Sequence, residues 1–188
     1  MTTEPRTEPP LHPERRTVPS IVVVNTGDGK GKSTAAFGVA LRSLARDWRV
    51  AVVQFIKSGR WRTGEEAMLR QLGADWWALG DGFSWESDDM DASRARAEAA
   101  WQHTTSLLAA GEHELVVLDE ITYPMNWGWI DAAEVIAAIR GRSLATNVVC
   151  TGRAAPEALC ELADTVTEMR KLKHAYDSGI MARRGIEY

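Results

Sequence analysis

Apolar residues in this chain fall into short unbroken runs separated by longer, mixed stretches. Ile21–Asn25, Val50–Ile56, Leu115–Leu118 and Asn147–Thr151 are rich in Val, Ile and Leu with almost no polar interruption. Runs of that length read as strands covered on both faces. Asp75–Leu79 and Thr165–Met169 are weaker candidates for further short strands. Between these runs lie stretches of helical character. A helix is expected just after residue 31, a second over Thr63–Leu72 and a long Ala-rich one over Asp91–Ala110 with Asp91 as its cap. Another should start at Asp131-Ala-Ala-Glu134, which resembles a capping box, and one over Pro156–Ala163 with proline in its first turn. Strands alternating with helices predict an α/β fold, a mainly parallel sheet with helices on both faces. Ligands of such sheets bind at the carboxyl ends of the strands.

One strand end carries the most specific signal in the chain. The run to Asn25 passes into Thr26-Gly27-Asp28-Gly29-Lys30-Gly31-Lys32-Ser33-Thr34, ahead of a helical segment. Strand, glycine–lysine loop and helix in that order form a phosphate-binding loop, as in P-loop NTPase-like (RecA-like) folds. Glycines let backbone N–H groups approach phosphate oxygens, and the helix start adds partial positive charge. Lys32 supplies a point charge, and the Ser33 hydroxyl suits a Mg²⁺ ion. The common spacing would place glycine at 26, but Thr26 stands there and Gly27 comes one residue late, which hints at a specialised branch.

Four further constellations follow predicted strands. Leu115–Leu118 ends in Asp119-Glu120, the acidic strand end that accompanies a phosphate loop and holds Mg²⁺; one of the two should face the metal. Thr151-Gly-Arg153 places a guanidinium after another strand, as either a nucleotide contact or a surface residue. Gln54 to Lys57, with Arg60 and Arg62, follow a third strand end and could reach the same place. In Gly80-Asp-Gly-Phe83-Ser-Trp85-Glu86 the two aromatics stand at i and i+2. By spacing alone they fit either an apolar wall beside a flat ligand or a loop plugged into the core.

Composition narrows the partners. The 188 residues suit one domain, with residues 1–19 as a flexible arm because they hold five of the seven prolines, and 20–188 as the domain proper. A net charge of −4 argues against nucleic acid. No run of apolar residues suits a membrane span or a secretory signal, so the expected location is cytoplasmic. Cys150 and Cys160 lack metal-ligand spacing and read as core residues. Eight tryptophans against three phenylalanines and three tyrosines is an unusual balance that a flat apolar ligand would suit. His174 in the closing segment reads as structural.

Together these stretches resemble the phosphate-loop type of ATP:corrinoid adenosyltransferase. The likeness is carried by Thr26–Gly38, Val53-Gln-Phe-Ile-Lys57, Gly82–Glu86, Val117–Tyr123, Leu162–Glu168, Lys173–Ile180 and Arg184–Tyr188. It accounts for the late Gly27 and extends from Ile21 to Tyr188. The resemblance implies that a Co(I) corrinoid attacks the 5′ carbon of ATP and that triphosphate leaves. It also implies ATP bound with its triphosphate reversed in the loop, and Mg²⁺ or Mn²⁺ held by Ser33 and by Asp119 or Glu120. Lys30 and Arg153 become nucleotide contacts. Phe83 and Trp85 become the residues that press on the corrin's lower face, displace its axial ligand and ease reduction of Co(II). A homodimer and an electron donor such as a reduced flavoprotein are implied too. The Pro-rich residues 1–19 stand where the family has a longer helical segment over the site, and Trp127 and Trp129 suit either the corrin pocket or a subunit contact. The alternatives are a small-molecule kinase, for which Arg140 and Arg142 would be lid residues, and a nucleotide-binding module without turnover.

Overall fold

A computed structural model describes residues 15–57, 63–80 and 90–187. Most of the expected arm, together with Arg60, Arg62, Phe83, Trp85 and Tyr188, lies outside the described residues. Six strands form one sheet: β1 (Val22–Thr26), β2 (Val50–Gln54), β3 (Asp75–Ala78), β4 (Leu115–Asp119), β5 (Asn147–Thr151) and β6 (Thr165–Glu168). Their order is β3-β2-β4-β5-β1-β6, and every pairing is parallel.

The unbroken apolar runs are explained by two cores. Alternate residues of each strand face opposite sides. Val116 and Leu118 of β4 pack with Ala51, Val53, Val22, Val24, Val148 and Cys150 on one side. Leu115 and Val117 pack with Val50, Val52 and Val149 on the other. The first core is covered by α3 (Met90–Ala110), α5 (Ala132–Arg140) and α6 (Glu157–Leu162) through residues such as Trp101, Leu108, Ile139 and Leu159. The second is covered by α1 (Lys32–Leu44) and α2 (Gly64–Gln71) through Ala36, Phe37, Ala40 and Leu69. α2 is capped by the Thr63 side chain, which accepts from Glu66 N–H.

One local reading is corrected, one is refined and one helix is added. Asp91 lies inside the first turn of α3 rather than capping it. Asp131 does cap α5, but by accepting from Ala133 N–H. A short α4 (Thr122–Asn126) follows β4, where Pro124 hid any helical pattern.

Cys150 is fully buried in β5, and burial pushes its thiol up to about 12, so it stays a neutral packing group. Cys150→Ser is expected to lower unfolding stability by about 1–3 kcal/mol, because it buries a hydroxyl there, and to leave turnover near normal. Denaturant melts beside rate measurements check this; lost turnover at unchanged stability would contradict it.

Candidate active site

Because all strands run parallel, their carboxyl ends share one edge of the sheet, and the candidate residues converge there. β5 lies between β1, which feeds the glycine–lysine loop, and β4, which ends in the acidic pair. The turn after β5 therefore stands between loop and carboxylates.

The loop closes on itself through Lys32. Its ammonium donates to the carbonyls of Gly27 (2.7 Å) and Gly29 (2.6 Å). Burial, and then the nearby Arg153, lower its pKa. Gly31 precedes α1 in a left-handed conformation (φ 108°) with no side-chain cap, so the α1 start is not closed by its own N-cap side chain. Ser33 and Thr34 open that first turn. Thr26 Oγ1 accepts from Ala155 N–H at 3.0 Å, which ties the loop to the β5 turn. Arg153 Nε stands 3.9 Å from the Asp28 carboxylate.

The residues after β6 also meet the loop. Met169 N–H donates to Thr26 O at 2.8 Å, and Met169 O accepts from Gly29 N–H at 2.5 Å. A Cβ at Gly27 or at Gly29 would stand 2.6 Å from that Met169 carbonyl, so glycine is required at both by close approach of backbone. Glu187 forms an ion pair with Lys30. A phosphate group using the Gly29 N–H must displace the Met169 carbonyl.

The two carboxylates divide their work. Asp119 is completely buried, and both its oxygens are taken: Oδ2 accepts from Gln54 Nε2 (2.9 Å) and Oδ1 from Thr151 Oγ1 (2.8 Å). Glu120 leaves the strand in a left-handed conformation, φ 65°. Its Oε2 is buried and has no hydrogen-bond partner among the described residues. Burial first, and Asp119 second, push its carboxyl up to about 7, against the pull of Lys57, Lys32 and Arg153. Glu120, not Asp119, thus presents a free oxygen among the site's cations.

That shift has a sign that can be tested. The Glu120 pKa is near 7 in the folded chain against an ordinary 4.5. Between these values the folded chain holds a proton that the unfolded chain has released. The group's contribution is present below the lower value and is lost as pH rises through the upper one. In metal-free buffer at about pH 8, Glu120→Gln is expected to stabilise the fold by about 1–3 kcal/mol, the gain vanishing near pH 4. Thermal melts across pH check it; a gain that grew toward acid would contradict it.

Other candidates fall elsewhere. His174 caps the 3₁₀ turn Ala175–Ser178, its Nδ1 accepting from Tyr176 N–H at 3.1 Å. Arg142 is tied to Ile139 O, Thr146 O and Ser20 Oγ at the amino end of the sheet, away from the loop. Tyr123, Trp127 and Trp129 stack in series after β4, with ring centroids 5.6 and 4.6 Å apart. Trp129 also lines a cleft of about 610 Å³ between α3 and the α4–α5 turn, with Trp101, Met125, Arg94 and Glu98. Among the described residues, no helix is long and apolar enough to cross a membrane.

Residues 19–188 match the family model for ATP:corrinoid adenosyltransferase BtuR/CobO/CobP. The chain belongs to this ATP:corrinoid adenosyltransferase family. It is 43% identical over 168 residues to corrinoid adenosyltransferase CobA of Salmonella typhimurium, covering 89% of this chain and 85% of that one. It is 44% identical over 170 residues to the corrinoid adenosyltransferase of Pseudomonas aeruginosa, covering 89% and 83%. In fold it is similar to the flagellar accessory protein FlaH of Methanocaldococcus jannaschii, with a TM-score of 0.57 at 12% identity over 80% of this chain and 71% of that one. The adenosyltransferase family match spans the loop, the acidic strand end and the closing segment that meets the loop. Thr26–Thr34, Glu120 and Arg153 are brought together in one place. Gln54 and Thr151, which hold Asp119, stand in stretches the sequence points to, but the sequence assigns neither this role.

Proposed function

We propose that this protein transfers the 5′-deoxyadenosyl group of ATP to the Co(I) centre of a corrinoid, cob(I)yrinic acid a,c-diamide or cob(I)alamin, in adenosylcobalamin biosynthesis or salvage. The family match over residues 19–188 carries this reading. The cobalt lone pair forms the Co–C bond, the C5′–O bond breaks, and triphosphate leaves with its electron pair, so cobalt becomes formally Co(III).

The leaving group is the whole triphosphate, so the protein must stabilise charge that develops along its full length. Lys32 exchanges its two loop carbonyls for phosphate oxygens, and Lys30 and Arg153 add charge on either side. Loop N–H groups of Gly27 to Gly31 and the α1 start supply donors. The free Oε2 of Glu120 and the Ser33 hydroxyl are the protein groups that would hold Mg²⁺ or Mn²⁺. Mg²⁺ needs only one or two carboxylates when phosphates supply other ligands, so this donor set fits. Bound there, the ion would neutralise triphosphate charge. Asp119, whose oxygens are both occupied, supports the site from beneath.

Phe83 and Trp85 are assigned to the corrin's lower face by family resemblance. A reduced flavoprotein as electron donor, a homodimer and a cytoplasmic location complete the reading. Product analysis tests it: triphosphate is expected from ATP in the presence of reduced corrinoid. ADP would return the kinase alternative, which no residue near the loop favours.

A further inference from the structure

A buried chain of hydrogen bonds crosses the carboxyl ends of four strands and ends at Glu120. Trp76 Nε1 of β3 donates to Gln54 Oε1 of β2 at 3.2 Å. Gln54 Nε2 donates to Asp119 Oδ2 of β4 at 2.9 Å. Thr151 Oγ1 of β5 donates to Asp119 Oδ1 at 2.8 Å and accepts the backbone N–H of Glu120 at 2.9 Å. Trp76, Gln54, Asp119 and Thr151 are all at most 3% exposed.

Each link is fixed in direction. An indole nitrogen can only donate, and both Asp119 oxygens accept here. The Gln54 amide between them therefore has one orientation, oxygen to Trp76 and nitrogen to Asp119. Asp119 in turn orients the Thr151 hydroxyl proton, which leaves that oxygen's lone pairs for Glu120 N–H. Glu120 needs such a hold. Its φ of 65° is a conformation that side-chain-bearing residues adopt only where the surroundings over-determine it. The same chain reaches the loop helix, because Phe37 of α1 packs on Trp76 with centroids 5.1 Å apart.

We infer that Gln54 and Thr151 are positioning residues, which through Asp119 and the Thr151 hydroxyl hold Glu120 in its left-handed turn with its free carboxylate oxygen turned to the nucleotide–metal complex. This rests on the reading above that Glu120 meets that complex. A chain serving only to join strands would have no need to end on the N–H of Glu120, whose Oε2 is buried with no partner among the described residues.

The test is calorimetric binding of ATP to the full chain, with Mg²⁺ and with EDTA. The Mg²⁺-dependent gain in affinity is the readout, because a merely structural role would not change it selectively. Thr151→Val, which removes both links, is expected to reduce that gain about tenfold while metal-free ATP affinity stays within about twofold. Thr151→Ser should restore it. Trp76→Phe, on the edge strand β3 four strands from β1, should reduce the gain in the same direction by freeing the Gln54 amide. Unchanged gain in folded Thr151→Val, or equal losses with and without Mg²⁺, would overturn the inference. So would unfolding of both Thr151→Val and Trp76→Phe, since the chain would then serve stability alone. A wild-type chain whose ATP affinity ignores Mg²⁺ while adenosyl transfer proceeds would overturn the Glu120 reading itself, and the positioning role with it.

Discussion

Lys32→Ala is expected to lower adenosyl transfer by about 10²–10³-fold or more, the scale of losing one preorganised charge-bearing donor from a developing oxyanion. The reason lies in the loop geometry. Lys32 is the group whose ammonium spans the carbonyls of Gly27 and Gly29, at the centre of the backbone that would cradle phosphate. Its lowered pKa, caused by burial and by Arg153, marks a cation held where an anion is wanted. Lys32→Arg should not rescue, since a planar fork does not fit a space built for a point charge. Steady-state rates with reduced corrinoid, beside ATP titrations, give the measurement. Near-normal turnover in Lys32→Ala would remove the loop from the mechanism.

The second large effect is expected at Phe83 and Trp85, and it should depend on the oxidation state supplied. If these aromatics displace the corrin's lower ligand, they act on reduction and not on alkylation. Loss of an axial donor raises a metal's potential. For a one-electron step every ~59 mV is tenfold in the fraction reduced. Phe83→Ala or Trp85→Ala should therefore lose about tenfold or more when the reaction starts from Co(II) with a weak reductant. Started from chemically prepared Co(I), the same variants should stay within a few-fold of wild type. Equal losses in both assays would leave them a packing role only.

The sequence made some of these features legible and hid others for definite reasons. β1, the loop and α1 could be read because glycine, lysine and a β-branched run are each diagnostic over a few adjacent residues. β2, β4 and β5 could be read because strands covered on both faces tolerate almost no polar residue, and Val116 and Val117 show the two faces directly. The division between Asp119 and Glu120 could not be read. Strand alternation put them on opposite sides, but which oxygen stays free depends on Gln54 and Thr151, 65 and 32 residues away from Asp119. Only the strand order brings those residues to Asp119. Met169 on the loop was hidden likewise, since it depends on β6 pairing with β1. That Arg142 ties the amino end of the sheet could not be read either, because its partners, the Thr146 carbonyl and the Ser20 hydroxyl, carry no motif. His174 was read correctly as structural, and its bond to Tyr176 N–H is purely local.

The central claim is that this chain alkylates a reduced corrinoid with the 5′ carbon of ATP. The direct measurement is an anaerobic incubation of the full chain with ATP, Mg²⁺ and pre-reduced Co(I) cobalamin, with the corrinoid spectrum followed and the phosphate product identified. The account predicts a light-sensitive Co–C product formed in step with inorganic triphosphate. ATP that binds without any alkylation, with complete and incomplete corrinoids alike, would contradict it.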